Sequence, residues 1–381
     1  MVRRSTAIVA VLLLAACARA PEPVHFFAEG QPQSLADWHV LEVRGGKLAL
    51  NQGVLPYDLA TPLFSDYAHK LRTVWMPRGQ AARYRADAEF DFPVGTVFSK
   101  TFYYPRAGGD AVVRSADAGP DLRGGGLDLS KVHLIETRLL VRRKDGWVAL
   151  PYVWNAGQTG ATLKRGGELV PLTLVAADGS SEQAEYEVPD QNQCGGCHGT
   201  DTKSKALHPL GPRARHLNHD FAYAQGRENQ LVRWTRAGFL TGAPAPASAP
   251  RDADWSDPSQ ALEARARAYL DINCGHCHNP TGPGNTSGLW LDAATSEPLR
   301  LGRCKLPIAA GMGTGDRRHD IVPGDPDASI MPYRMSSDDP SVMMPELGRS
   351  VVHDEGVQLI RDWIAAMQGN CGPGETTTIP M

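Results

Sequence analysis

Two stretches of this chain hold residues that could do chemistry together. Cys194-Gly195-Gly196-Cys197-His198 and Cys274-Gly275-His276-Cys277-His278 each read C-x-x-C-H. In that pattern two thiols add across the vinyl groups of a haem, and the following histidine ligates the iron from the proximal side. Two intervening residues set both sulfurs along one edge of the macrocycle when the segment turns as a helix, and the adjacent imidazole then faces the metal. Two copies imply two covalently attached haem c groups, with Cys194, Cys197, Cys274 and Cys277 as attachment points and His198 and His278 as iron ligands. The rival is one tetrahedral zinc on four thiolates, since C-x-x-C is also a metal knuckle. A histidine after both second cysteines, and about 76 residues between the pairs, oppose it.

The sixth iron positions divide unevenly. Met312, Met331, Met335, Met343 and Met344 follow the second motif. Met344 precedes Pro345, which holds the backbone extended, and follows His278 by 66 residues, a separation that suits a small cytochrome domain. Met344 is therefore the expected distal ligand of the second haem, with Met343 as the alternative; Met331 and Met335 read as core filler. No methionine lies between Met76 and Met312. The first haem's distal position thus falls to a histidine, to a residue from elsewhere such as Met76, or to nothing. His208 is the candidate among His208, His216 and His219, because Pro209 and Gly211 beside it would hold the chain extended against a ring. No nucleophile triad or phosphate loop is legible, so no catalytic residue is assigned.

The elements that must position these residues follow from texture and periodicity. Residues 1–17 read as a lipoprotein leader: Arg3 and Arg4, an apolar run too short to span a bilayer, then Leu14-Ala15-Ala16-Cys17, with Cys17 as the lipidated residue. Two or more acyl chains would anchor the chain stably. Loss of Arg3 and Arg4 with the leader takes the formal charge from −3 to −5, and no basic excess points to nucleic acid. A tether covers 18–33. Residues 34–188 are β-rich: Val97 to Tyr104 and His133 to Val141 alternate as half-buried strands, punctuated by Gly124-Gly125-Gly126 and Gly166-Gly167. Trp75, Tyr84, Trp147, Tyr152, Trp154, Lys70, Arg72, Lys100, Glu136 and Arg138 recur there, either lining a carbohydrate or partner groove or simply filling core and strand faces.

A first haem segment spans 189–242, with a helix near Asn229–Trp234 placed to pack over the ring. An Ala/Pro linker follows at 243–255. The last domain, 256–381, opens on Asp257-Pro258 with Gln260 as a helix start and closes on Val357, Ile360, Ile364 and Met367 at helical steps. The expected fold is multidomain: an N-terminal all-β sandwich or barrel, then two small, mainly α cytochrome c-type haem domains. Cysteine arithmetic leaves Cys304 and Cys371 over; in an oxidising compartment such a pair is expected to form a disulfide, the alternative being two buried thiols.

Residues 256 to 371 resemble a class I cytochrome c domain in their helix, C-G-H-C-H, Met-Pro and terminal helix. About nine tenths of the chain is similar to a family of bacterial dihaem c-type cytochrome lipoproteins. That likeness rests on Pro56-Tyr57, Thr61-Pro62-Leu63-Phe64-Ser65-Asp66-Tyr67-Ala68, Phe92-Pro93-Val94-Gly95-Thr96, Glu136 to Leu140, Tyr152-Val153-Trp154-Asn155, Leu210-Gly211-Pro212, Leu217-Asn218 and Asn229-Gln230-Leu231. It implies a periplasm-facing protein of the bacterial cell envelope, lipid-anchored, working with envelope redox partners and encoded near a parallel β-helix protein. Ala18 after Cys17 lacks the aspartate of inner-membrane retention, so the outer membrane is the expected leaflet. The function this predicts is single-electron transfer. A dihaem peroxidase-type oxidoreductase with a five-coordinate first haem is the alternative, and a β domain that binds a polysaccharide or β-helix partner is a third reading.

Overall fold

Alternating apolar runs place every second side chain on one face, and the N-terminal half accordingly forms strands. The computed structural model describes residues 22–116, 126–308 and 310–372, and its main feature is a nine-stranded sheet. At its centre lies β6 (Val97–Gly108). Along one edge of β6 runs β9 (Val132–Arg143), antiparallel, with β10 (Gly146–Trp154) and β11 (Ala161–Leu163) beyond it. The other edge is shared. Its first half pairs with β4 (His69–Trp75), outside which lies β3 (Leu55–Tyr57). Its end pairs with β7 (Ala111–Val113), continued by β12 (Glu168–Val175) and β13 (Ser181–Val188).

Three small sheets flank this one. β1 (Leu41–Arg44), β2 (Lys47–Leu50) and β8 (Leu127–Asp128) form the first, and β14 (Asp220–Tyr223) with β15 (Gly226–Asn229) the second. In the third, β5 (Ala82–Arg83) runs parallel to β16 (Leu240–Thr241).

The two faces of the main sheet have different partners. Leu71, Val97, Leu139, Val141, Leu150 and Tyr152 pack under Trp38 and the β1–β2 hairpin, and Trp38 Nε1 donates to the Tyr152 hydroxyl at 2.8 Å. On the opposite face, Val74, Phe98 and Leu140 are covered by Ala214, Leu217, Leu231 and Trp234. Further along, Phe102 and Val153 meet Tyr67, Leu172, Tyr186 and Val351.

This second face overturns the expected domain plan. Strands take 28% of the chain and helices 19%, which is incompatible with two small, mainly α haem domains. Helices within residues 189–242 are short: α1 (Gln191–His198), α2 (Ala214–Leu217) and α3 (Gln230–Arg236). The apolar residues of α2 and α3 share a cluster with Leu55, Tyr57, Phe90 and Phe98. Each large side chain there contributes roughly 1.5–3 kcal/mol by burial, and that burial requires the sheet, so the segment has no core of its own. Trp234, expected over a haem, instead lies edge-on to Tyr57, ring centroids 5.5 Å apart.

The C-terminal part has a separate core around Trp255, Tyr269, Leu270, Ile360 and Trp363, made where α4 (Leu262–Leu270) and α6 (Asp354–Ala366) pack together, with α5 (Ile330–Met335) beside them. Between them most of the chain is irregular. Asp257 and Gln260 do not open α4; they close a separate turn, Gln260 Nε2 donating to Asp257 Oδ2 at 2.9 Å, and α4 begins at Leu262. Cys304 and Cys371 are joined by a disulfide, Cα atoms 5.3 Å apart. The leader and Cys17 lie outside the described residues, among which no helix is long and apolar enough to cross a membrane.

Candidate functional site

Both C-x-x-C-H stretches open onto one cavity of about 880 Å3, lined by Cys194, Cys197, His198, Cys274, Cys277 and His278. Ligand pockets run from roughly 300 to 1,000 Å3, so this one belongs with the large, ring-sized sites. The first stretch is held by α1, whose start is a capping box: Asp190 accepts from the Asn192 and Gln193 amides and the Gln193 side chain accepts from the Asp190 amide. Gln191 Nε2 then ties α1 to β10 through the Ala149 carbonyl at 3.1 Å. The second stretch follows α4 through a π-type turn, Asp271–Gly275. Gly275 is needed there because a Cβ would stand 2.9 Å from the Asp292 backbone. The two stretches touch: Cys277 Sγ is 3.6 Å from the Gly196 carbonyl oxygen, and the following loops pair through Thr202 N to Thr281 O at 3.0 Å.

Each histidine after the motif is oriented by its Nδ1. His198 Nδ1 donates to the His208 carbonyl at 2.7 Å, and since a carbonyl can only accept, Nε2 is left as the free lone pair. His278 Nδ1 faces Ser287 Oγ at 3.3 Å. Ser287 donates to the Gly284 carbonyl at 2.6 Å, so it accepts from the histidine. Such anchoring of the distant ring nitrogen is what metal-ligating imidazoles show. Burial pushes His198 down to about 3, helped by the charge of Lys100, and His278 down to about 4; both are neutral rings at pH 7. Cys274 and Cys277 are pushed up to about 12 by burial, so all four motif cysteines, none disulfide-bonded, are kept as thiols; Cys194 and Cys197 are raised for the same reason.

Met344 lines the cavity and Met343, 8% exposed, does not. The Met344 backbone is fixed on both sides, its amide donating to the Arg334 carbonyl at 3.0 Å and its carbonyl accepting from Arg349 Nη2 at 3.1 Å. Met331 and Met335 belong to the C-terminal core and also reach the cavity wall. His208 is a different matter. Its ring turns away from the cavity to pair with Glu89, Nδ1 to Oε1 2.6 Å, and only its carbonyl serves the site. Met76 is packed in the core beside Ala82 and Phe90, outside the cavity lining. His216 is buried against Asp252, 2.7 Å from Nδ1, in a network where Arg215 meets Asp271 at 2.8 Å.

The donor set fits haem better than zinc. Among the described residues, the only group of three or more histidine, cysteine or carboxylate ligand atoms within 4.8 Å of one another is His216, Asp252 and Asp271. The four motif sulfurs do not converge, as a tetrahedral site would demand. The walls, by contrast, are largely apolar, with Leu59, Leu63, Phe64, Ile272 and Leu291 among them. No family model, curated protein or solved structure matches the chain.

One part of the site enters the sequence reading only as words of the family likeness, with no structural role legible in them. Residues 61–68 clamp the C-terminal part onto the sheet. Thr61 Oγ1 donates to the Ala253 carbonyl at 2.7 Å, and the Phe64 amide donates to Asn273 Oδ1, beside Cys274, at 2.8 Å. Asp66 Oδ1 accepts from the Ser350 and Val351 amides at 2.7 and 2.9 Å, and Tyr67 donates to Glu355 at 2.7 Å. Phe64 also stacks on His353, ring centroids 4.1 Å apart. His353 lines the cavity and is held by Tyr269, hydroxyl to Nδ1 2.9 Å.

Proposed function

We propose that this chain is a dihaem c-type cytochrome of the bacterial envelope that passes single electrons between redox partners. The observation that carries this reading is the convergence of both C-x-x-C-H stretches and Met344 on one cavity. Cys194 and Cys197 would hold one haem and Cys274 and Cys277 the other, by thioether bonds. When bound, the haem iron supplies the one-electron couple, and the protein tunes its potential through ligand, burial and nearby charge. His198 and His278 present Nε2, held by the His208 carbonyl and by Ser287. Met344 is the distal ligand proposed for the second haem, its backbone pinned by Arg334 and Arg349. The contact between Cys277 and Gly196 keeps the two attachment sites adjacent, which suits transfer between centres within the chain. The likeness in sequence to bacterial dihaem cytochrome lipoproteins supports the same reading and the lipid anchor at Cys17.

The test is haem stoichiometry. The mature protein, expressed with a haem-attachment system, carries two covalent haems per chain; Cys194→Ala with Cys197→Ala carries one, and so does Cys274→Ala with Cys277→Ala. Zinc in place of iron would overturn the proposal. One observation favours a peroxidase-type second reading: the side chains of His208 and Met76, the residues named for the first distal position, lie outside the cavity lining. A high-spin signal that shifts on adding peroxide would bring that reading forward.

A further inference from the structure

One wall of the cavity is the second face of the main sheet, and it carries a row of cations. Cross-strand register puts Arg72 of β4 directly opposite Lys100 of β6, and Lys100 directly opposite Arg138 of β9. All three line the cavity. Like charges directly opposite one another weaken a sheet, and here three stand side by side between two apolar clusters. Arg72 has a partner in Asp58 at 2.6 Å, and Arg138 has Glu136, on whose Oε1 the Tyr186 hydroxyl also lies at 2.7 Å. Lys100 has neither: among the described residues no carboxylate lies within ion-pair distance of its Nζ, which rests 5.0 Å from the centre of the Phe102 ring. Arg138 shares that ring at 4.4 Å, so the aromatic face is already divided.

Lys100 is half-buried, and an ammonium drawn partly out of water without a counter-ion is disfavoured unless something anionic meets it. Burial and the neighbouring Arg138 and Arg72 lower the Lys100 ammonium to about 7, and its charge is felt at Cys197 and His198. With α1 fastened to β10 of the same sheet through Gln191 and the Ala149 carbonyl, the first motif sits on the side of the row. With the Arg72 and Arg138 guanidiniums engaged by Asp58 and Glu136, Lys100 is the point charge of the row left for a further carboxylate, and the two guanidiniums add to the positive field around it.

We infer that Arg72, Lys100 and Arg138 form a carboxylate-binding row that receives the propionate groups of the haem attached at Cys194 and Cys197. This rests on the proposed function and gives the β-sheet a role in it: the sheet supplies the anion-binding wall, and Lys100 is a positioning and tuning residue. A free oxyanion drawn from solvent has the same chemistry, and the test separates the two sources.

The experiment compares holoprotein of the wild type, Lys100→Met, Lys100→Gln and Lys100→Arg by haem content, potentiometric titration of each haem, and resonance Raman of the propionate bending modes. Losing the positive charge favours the oxidised haem. In Lys100→Met and Lys100→Gln the first haem's reduction equilibrium therefore falls by roughly threefold to tenfold, tenfold being 59 mV for a one-electron couple. The second haem moves less, the first haem's propionate modes shift, and Lys100→Arg stays near wild type. Two haems per chain with unchanged potential and modes in both neutral variants would overturn the inference alone. So would a wild-type potential that moves on adding phosphate while the neutral variants stay insensitive, since the row would then hold a free anion. Wild-type protein lacking covalent haem would sink the functional reading, and this inference with it.

Discussion

Replacing Asp66 tests the clamp that closes the cavity. Its carboxylate is buried at 3% exposure and accepts three hydrogen bonds, from the Ser350 and Val351 amides and from Ser350 Oγ at 3.1 Å. In Asp66→Ala the Val351 amide, within a buried residue, loses its only acceptor on the sheet side, at about 1–3 kcal/mol. The half-buried Ser350 amide is open to water and loses less. Asp66 also has φ 49°, a left-handed conformation that aspartate and asparagine tolerate and alanine resists by about 1–2 kcal/mol. Burial raises the Asp66 carboxyl above its usual range, so removing the charge returns part of the loss. The sum is about 3 kcal/mol for Asp66→Ala. Asp66→Asn, which keeps an acceptor oxygen and the backbone preference, should cost about 1 kcal/mol. Urea unfolding followed by tryptophan fluorescence measures both, since Trp255 and Trp363 lie in the core that the clamp secures. An Asp66→Ala midpoint matching that of Asp66→Asn, or either matching wild type, would refute the reasoning.

Four further outcomes follow from the same structure. His353, buried and 7% exposed, is pushed down to about 3 by burial, then by Lys70 and Arg114. The unfolded chain binds its proton near pH 6.5, so stability present above that value is lost as pH falls from about 6.5 toward 3, on the order of 4 kcal/mol at the limit; His353→Phe should flatten that slope in thermal melts. Cys304→Ser with Cys371→Ser opens a loop of 67 residues and should lower unfolding free energy by about 2–4 kcal/mol, read from denaturant midpoints with and without reductant. Trp234→Ala should cost about 3–5 kcal/mol and shift the sheet and the first segment in one transition; two separate transitions would contradict a shared core. Met344→Ala should abolish the far-red methionine–iron band and lower the second haem's potential, while Met343→Ala leaves both intact.

The chemistry of this chain is written locally and its architecture is not. The two C-x-x-C-H stretches, the strands β6 and β9, and the terminal helix α6 are legible because each is encoded by neighbours in sequence. The capping box Asp190-x-x-Gln193 was equally available as a sign that α1 begins there. What cannot be read is which partner each apolar face chooses. The segment 214–234 has periodic apolar residues like any small helical domain, and only the tertiary contact with Phe98 and Leu140 reveals that it is a cover for the sheet. The cation row is hidden for the same reason: Arg72, Lys100 and Arg138 are ordinary strand residues until strand register aligns them. The sequence points to the His208 ring, whereas the structure uses its carbonyl.

The clamp also sets an order of events. Residues 61–68 bind residues 253, 273 and 350–355, so contacts nearly 290 positions apart in the chain must form last. However the chain is delivered from its N-terminus, the sheet emerges first, both motifs next and the closing segment at the end, and long-range closure is slow compared with local folding. Residues 344–349 and 353 line the cavity, so until the clamp closes the site lacks that wall. For the proposed dihaem protein, that order would let the rings be attached before Asp66 and Tyr67 close the clamp.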